Sequence, residues 1–327
     1  MKYTLAPMEG ITGYVYRNAY ANSFTAMDAY VTPFVSPNQN RLFSPKELRE
    51  VEIEHNKNLH VIVQILTNQA KLFVETAKAL EQMGYDEVNV NLGCPSATVV
   101  TKRKGAGQLK DLDLLDCFLE EIYQTCPLKV SIKTRIGVME PTEFEDLFAI
   151  YEKYPISCLT IHPRTREEFY QAETHDDWFS YAMEERRKKG LSMEIAYNGN
   201  IYTPMDAIRK KQKWEDLDGI MLGRGIITNP FLLEQIKAVE DGCTDLEQIH
   251  QMFDRERLQQ FLKDVLDGYL EILKDDVTTL FRLKELWSYL ANSFEGIEKP
   301  LKALRKSVKI SEYEKCAKEI VRYGKVK

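Results

Sequence analysis

No apolar run in these 327 residues approaches the roughly 18 needed to cross a bilayer, so no membrane partner is expected. The opening, Met1-Lys2-Tyr3-Thr4-Leu5-Ala6-Pro7, enters a strand at once and lacks the apolar stretch of a secretion signal. The six cysteines, at 94, 117, 126, 158, 243 and 316, include no Cys-x-x-Cys pair. That speaks against a zinc site and a disulfide framework, so no metal is expected and a reducing cytoplasm fits. No Gly-x-Gly-x-x-Gly is present, which removes the usual fingerprint of an open dinucleotide-binding sheet. What remains is an ordinary globular composition, 44% hydrophobic and 29% charged. The length suits one large domain and a small one.

The net charge of −6 discourages a polyanionic partner until its distribution is read. From Val277 to Lys327 there are 12 Lys/Arg against 6 Asp/Glu, so this stretch is +6 and the rest is −12. Such an asymmetry makes the C-terminal stretch a candidate nucleic-acid surface, with a solvated helix face as the alternative.

Eight short apolar or β-branched runs recur along the first 225 or so residues: Tyr3–Pro7, Ala29–Phe34, His60–Leu66, Glu87–Leu92, Lys129–Thr134, Ser157–His162, Met193–Tyr197 and Gly219–Leu222. Stretches of helical period separate them, among them 69–80, 112–123, 142–154 and 204–209. Strand and helix alternating eight times predict a parallel (β/α)8 barrel, residues 1–240, of the α/β class. Beyond Pro230 the strand signals stop. Long helices are expected over 246–273 and 279–294, and a third near Lys299 with Pro300 in its first turn. A small all-helical domain, 245–327, is therefore expected, with the boundary around Gly242.

In such a barrel, chemistry gathers at the C-terminal ends of the strands. Strand four ends Asn89-Val90-Asn91-Leu92-Gly93-Cys94-Pro95, where Pro95 stops the ladder for want of an N–H and Cys94 is presented at the rim. A buried structural cysteine is the alternative. The other ends supply Pro7, Met8 and Glu9; Gln64; Lys133 and Arg135; His162, Arg164 and Arg166; Asn198, Gly199 and Asn200; and Gly223 and Arg224. Lys133, inside an apolar run, needs an anion or a strong dipole, or else an ion pair with a barrel carboxylate. The glycine turns after strands seven and eight stand where barrels commonly hold phosphate, with Arg224 adding charge-assisted hydrogen bonds. Phosphate at one side with lysine, histidine and amides at the other suit a phosphorylated flat cofactor, and flavin mononucleotide (FMN) fits well. Lys133 would face the ring edge that becomes negative on reduction, and Gln64 the pyrimidine edge. Pro7, Met8 and Glu9 would cover a face, and a nicotinamide nucleotide would serve as reductant.

These strand ends together closely resemble the tRNA-dihydrouridine synthases. The resemblance spans about residues 3–235. It rests on Ala6-Pro7-Met8-Glu9-Gly10-Ile11-Thr12, Asn89-Val90-Asn91-Leu92-Gly93-Cys94-Pro95-Ser96, Gly105-Ala106-Gly107-Gln108-Leu109, Lys133-Thr134-Arg135, Ile161-His162, Arg164-Thr165-Arg166, Asn198-Gly199 and Gly223-Arg224. Pro163 and Asn200 depart from the family pattern at two loops. The resemblance implies an FMN enzyme that reduces the C5–C6 double bond of particular tRNA uridines, commonly in the D-loop, using NADPH. It implies Cys94 as the acid that protonates C5, a role suited to a thiol with an unperturbed pKa near ~8.5. Asn91 would hold the uracil edge, Arg135 would bind substrate, and Arg164 and Arg166 would lie at the mouth and meet RNA phosphates. The segment Pro95–Gly107, with Lys102, Arg103 and Lys104 and glycines 105 and 107 as hinges, is expected to be a lid that brings Cys94 into place. The helical domain would hold the tRNA through Arg282, Lys284, Lys299, Lys302, Arg305, Lys306 and Lys309. Lys302, Arg305, Lys306 and Lys309 are expected on one helix face. A monomer is compatible with this reading. Two other functions fit parts of it: an FMN oxidoreductase of a free pyrimidine, similar to dihydroorotate dehydrogenase, and a tRNA-binding protein without turnover.

Overall fold

The computed structural model describes residues 1–327. Eight parallel strands close into a barrel in sequence order: β1 Lys2–Leu5, β2 Ala29–Val31, β3 Val61–Ile65, β4 Glu87–Leu92, β5 Lys129–Gly137, β6 Cys158–Thr165, β7 Glu194–Tyr197 and β8 Gly219–Leu222, with β8 pairing back on β1. The helices are α1 Tyr14–Ser23, α2 Pro45–Val51, α3 Ala70–Met83, α4 Ala97–Val100, α5 Leu112–Thr125, α6 Phe144–Tyr151, α7 Asp176–Lys189, α8 Pro204–Lys213, α9 Arg224–Thr228, α10 Leu232–Glu240, α11 Leu246–Gln251, α12 Arg255–Leu273, α13 Asp276–Leu290, α14 Glu298–Lys306 and α15 Ile310–Tyr323. A two-stranded ribbon, Phe294–Glu295 with Lys325–Val326, flanks the last two. No helix is long and apolar enough to cross a membrane.

Packing divides the chain into two compact units interleaved along the sequence. One comprises Met1–Pro7, Asp28–Gly199 and Lys210–Leu222; the other comprises Met8–Met27, Asn200–Arg209 and Gly223–Lys327. The first holds every barrel strand. Ala6, Ala29, Val31, Ile62 and Met221 form an apolar cluster in it. Toward the C-terminal ends, side chains of one face turn polar at alternate positions: Asn89 and Asn91 on β4, Ser131, Lys133 and Arg135 on β5, Thr160, His162 and Arg164 on β6. The period of two sends the intervening Val88, Val90, Ile132, Thr134 and Ile161 to the opposite, fully buried face.

Strands β5 and β6 run past their expected ends at Thr134 and His162, and their register shifts between Arg135 and Gly137. Pairing of β6 with β7 ends at Ile161, so Pro163 falls where no ladder donor is required. This accounts for a proline beside the histidine.

The second unit is helical, with an aromatic core. Phe24 meets Phe231 and Phe261 with ring centroids 5.0 and 5.2 Å apart. Arg257 lies over the rings of Phe231 and Phe24 while pairing with Glu234. Helix α1 packs on α12 so closely that a Cβ at Gly268 would lie 2.7 Å from Val15. The stretch expected as one helix over 246–273 is broken, because Asp254 accepts the N–H groups of Glu256 and Arg257 and starts α12 afresh. Pro300 lies in the first turn of α14, as expected, but that helix stops at Lys306. Lys309 is the N-cap of α15 and does not share the helix face of Lys302, Arg305 and Lys306. A spacing of three and four residues counts only while one helix continues.

Candidate functional site

At the C-terminal end of β4, side-chain amides form a continuous hydrogen-bonded chain. Asn91 donates to Gln64 Oε1 at 2.6 Å, Gln64 donates to Asn89 Oδ1 at 2.8 Å, and Asn89 donates to Ser131 Oγ at 3.0 Å. The register of β3, β4 and β5 sets Gln64, Asn89 and Ser131 side by side. With its amide nitrogen held by Gln64, Asn91 turns its oxygen back on its own chain. There Oδ1 accepts the N–H groups of Gly93 and Cys94 at 3.1 and 3.0 Å. This Asx-type turn breaks the strand before Pro95 and leaves Cys94 half-buried, not sealed in the core.

The segment after Cys94 folds back on it. Ala106 N–H donates to the Cys94 carbonyl at 3.1 Å. Gly105 has a left-handed φ of +56°, and a Cβ there would lie 2.9 Å from that carbonyl. The structure thus has a packing reason for Gly105, where a hinge was expected. Lys102 and Arg103 are exposed, whereas Lys104 is half-buried, donates to Ser36 Oγ at 3.3 Å, and has its pKa lowered by burial and by Lys102.

Lys133 stands opposite Asn91 in the β4–β5 register. No carboxylate pairs with it, which removes the barrel ion pair as its explanation. Loss of hydration, followed by the charge of Arg135, pushes its pKa down to about 7, while Cys94 acts in the opposite direction. Lys133 as a whole is half-buried. Burial, followed by the charges of Arg135, Lys133 and Arg164, holds His162 well below the usual histidine range and therefore neutral. Its Nδ1–H donates to the Asn198 carbonyl at 2.6 Å, which leaves Nε2 as an acceptor facing Arg164 Nη1 at 3.4 Å. The Asn198 side chain is used in the framework: it donates to the Met221 carbonyl at 2.8 Å, tying the end of β7 to β8.

The arginines serve other ends than expected. Arg135 is 2% exposed and donates to the carbonyls of Gly93, Thr165 and Phe169 at 2.8–2.9 Å, with its guanidinium 5.2 Å from the ring of Tyr170. It clamps the ends of β4 and β6. Arg164 is 0% exposed and donates to the Ala172 carbonyl at 2.6 Å, so it does not lie where RNA phosphate would reach it. Arg166 is more open and pairs with Glu167. Sequence reasoning named Asn89 without a role and missed Ser131 and Tyr170. The available signal for Tyr170 was the pair Phe169-Tyr170 in an otherwise charged loop. Tyr170 is 50% exposed, and its ring meets His162 edge-on at 5.8 Å.

Of the remaining expected residues, Pro7 and Met8 are half-buried and Glu9 is exposed. Met8 N–H donates to Thr12 Oγ1 at 2.8 Å, and its carbonyl accepts from Ile11 and Thr12, so Met8–Thr12 is a tight turn. A methyl at Gly199 would lie 2.4 Å from the Tyr197 hydroxyl. In the helical unit, Arg224 Nη2 donates to Asn200 Oδ1 at 2.9 Å and its guanidinium lies 5.7 Å from the Tyr202 ring. A Cβ at Gly225 would lie 1.8 Å from the Ile201 carbonyl, so no larger residue fits. Lys302 and Arg305 are exposed on α14.

The family model described as dihydrouridine synthase matches residues 4–318. A probable tRNA-dihydrouridine synthase of Staphylococcus aureus strain Mu50 is 28% identical over 271 residues, 79% of this chain and 80% of the relative. A tRNA-dihydrouridine(16) synthase of Aquipseudomonas alcaligenes is 27% identical over 250 residues, 74% of this chain and 77% of the relative. Among solved structures, morphinone reductase aligns with a TM-score of 0.53 at 13% identity, covering 73% of this chain and 86% of that one. A morphinone reductase variant in complex with tetrahydroNAD aligns at 0.52 and 11% identity, with the same coverage. At these identities the structural likeness concerns the barrel fold alone.

Proposed function

This chain belongs to the dihydrouridine synthase family, and we propose that it reduces the C5–C6 double bond of uridines in tRNA, with FMN as its resident cofactor and NADPH as the reductant. The observation that carries the cofactor is Lys133: a desolvated lysine opposite Asn91 in the β4–β5 register, with no carboxylate to balance it. An uncompensated ammonium in such a place suits a group that becomes anionic in use. Lys133, with Gln64 and neutral His162, would hold the ring, and Pro7 would bound it. When bound, the flavin supplies the hydride.

The protein's own work is then placement and proton delivery. Asn91 retains one amide N–H for a pyrimidine carbonyl while its oxygen holds the turn that presents Cys94. The Cys94 thiol carries the proton destined for C5, where charge develops once C6 has been reduced. A stacked or looped uridine must leave its neighbours to lie flat in the site, and the exposed cations of α14 retain the rest of the RNA.

The test is direct. Purified protein should show a flavin absorption band, and with NADPH and an unmodified tRNA transcript it should convert uridine to a product heavier by two hydrogens. Cys94→Ala should keep the band and lose the product. A colourless protein, or one that leaves every tRNA uridine unchanged, overturns the proposal.

A further inference from the structure

Phe281 is a large apolar side chain left 59% exposed on α13, in the helical unit. Its surroundings are specific. One helical step on, Lys284 donates to the Ser307 carbonyl at 2.6 Å, which fastens the C-terminal end of α14 against this part of α13. Ser307 is buried, while Val308 beside it stays 68% exposed. Lys302, Arg305 and Lys306 on α14, and Lys309 just beyond it, are exposed and form no ion pair with any carboxylate. Among nearby acids, Glu285 pairs with Arg282 and Glu312 accepts the Val308 N–H at 3.1 Å, while Glu298 stands exposed one turn before Lys302 on α14. The Arg282 guanidinium lies 5.9 Å from the Phe281 ring. Toward the start of α13 the character changes, since exposed Val277 adjoins Asp275 and Asp276. The basic surroundings are thus confined to the Phe281 end.

An exposed ring on a helix tied to one that carries unpaired cations is a combination that binds single-stranded nucleic acid, because cations track the phosphates and every base offers a π-face to the ring. A solvated charged face would need no phenylalanine, and an apolar protein partner would not be served by four free cations. We propose that Phe281 stacks an unpaired tRNA base while Lys302, Arg305, Lys306 and Lys309 hold the flanking phosphates. The RNA would therefore be engaged through a looped segment as well as through duplex backbone. This inference rests on tRNA being the substrate.

The experiment measures binding of an unmodified tRNA transcript to the full-length protein by fluorescence anisotropy at several salt concentrations. Phe281→Ala should weaken binding about tenfold or more with the salt slope unchanged, because stacking releases no counterions. Phe281→Trp should retain affinity, and Phe281→Leu, which keeps apolar area without a ring, should lose it. Lys306→Gln should lower the salt slope by roughly one. Wild-type binding with Phe281→Ala equally tight overturns the stacking role and leaves the substrate reading standing. Full affinity in Phe281→Leu also overturns it, as does loss of self-association in Phe281→Ala with tRNA binding intact, which would assign the face to a second copy. A wild-type protein that binds no tRNA removes both proposals.

Discussion

The side-chain oxygen of Asn91 accepts the backbone N–H of Cys94 at 3.0 Å, while its amide nitrogen is held by Gln64 at 2.6 Å. The residue expected to hold the uracil edge therefore also sets the position of the thiol. Asn91→Ala should lower kcat by about a hundredfold, the scale of loss expected when a reacting group moves by about 1 Å. Flavin content should be unchanged. Steady-state kinetics with flavin stoichiometry checks this, and a rise in KM alone would confine Asn91 to substrate contact.

Gly105 offers an independent route to the same thiol. Its left-handed φ and the 2.9 Å approach to the Cys94 carbonyl mean that alanine must push the carbonyl aside. Gly105→Ala should cost about 1–2 kcal/mol in stability from the backbone conformation and reduce turnover while flavin remains bound. Thermal melts with single-turnover product formation read both effects. Turnover at the wild-type rate would contradict the close packing.

Lys133 makes the stability of flavin-free protein depend on pH. Its folded pKa of about 7 lies below the ordinary lysine value of 10.5, so between these values the unfolded chain binds the extra proton. Stability from this group then rises as pH climbs from 7 toward 10.5, and the cost of holding the charge is complete below 7. Lys133→Met should raise the melting temperature most at pH 6, with the gain shrinking toward pH 10, and should weaken flavin binding. A variant that melts lower than wild type at pH 6 would contradict an uncompensated charge.

Replacing Lys302 and Arg305 together by glutamate should weaken tRNA binding and lower the dependence of log K on log salt by roughly 1.4–1.8 for two lost phosphate contacts. Flavin reduction by NADPH should be unaffected. Substitution is preferable to truncation after residue 245, because α1 packs on α12 and loses its partner when the C-terminal helices are removed. An unchanged salt slope would exclude these two side chains from the RNA surface.

The barrel was legible in the order of eight short runs, and all eight strands start within one residue of the expected place. Local features made that possible: β-branched runs, proline stops and glycine punctuation act within a few residues of themselves. The division of Lys302 and Lys309 between two helices was less accessible, because no strong cap or breaker separates them. Arg135 and Arg164 were expected among the substrate-binding residues, but both are buried and donate to backbone carbonyls. An arginine's sequence position does not reveal which carbonyls approach its guanidinium.

By itself the chain specified the repeating strand–helix order, the polar strand ends and the residues able to do the chemistry, since these depend on side-chain type and on a period of two or 3.6. Only the tertiary structure decided that Gln64, Asn89, Asn91 and Ser131 form one chain of hydrogen bonds, that Lys133 meets no acid, and that the turn beginning at Met8 packs with the C-terminal helices. Each of those facts depends on groups from separate segments arriving within about 3 Å of one another, or failing to. Strand register and helix packing fix such distances, and no local pattern encodes them.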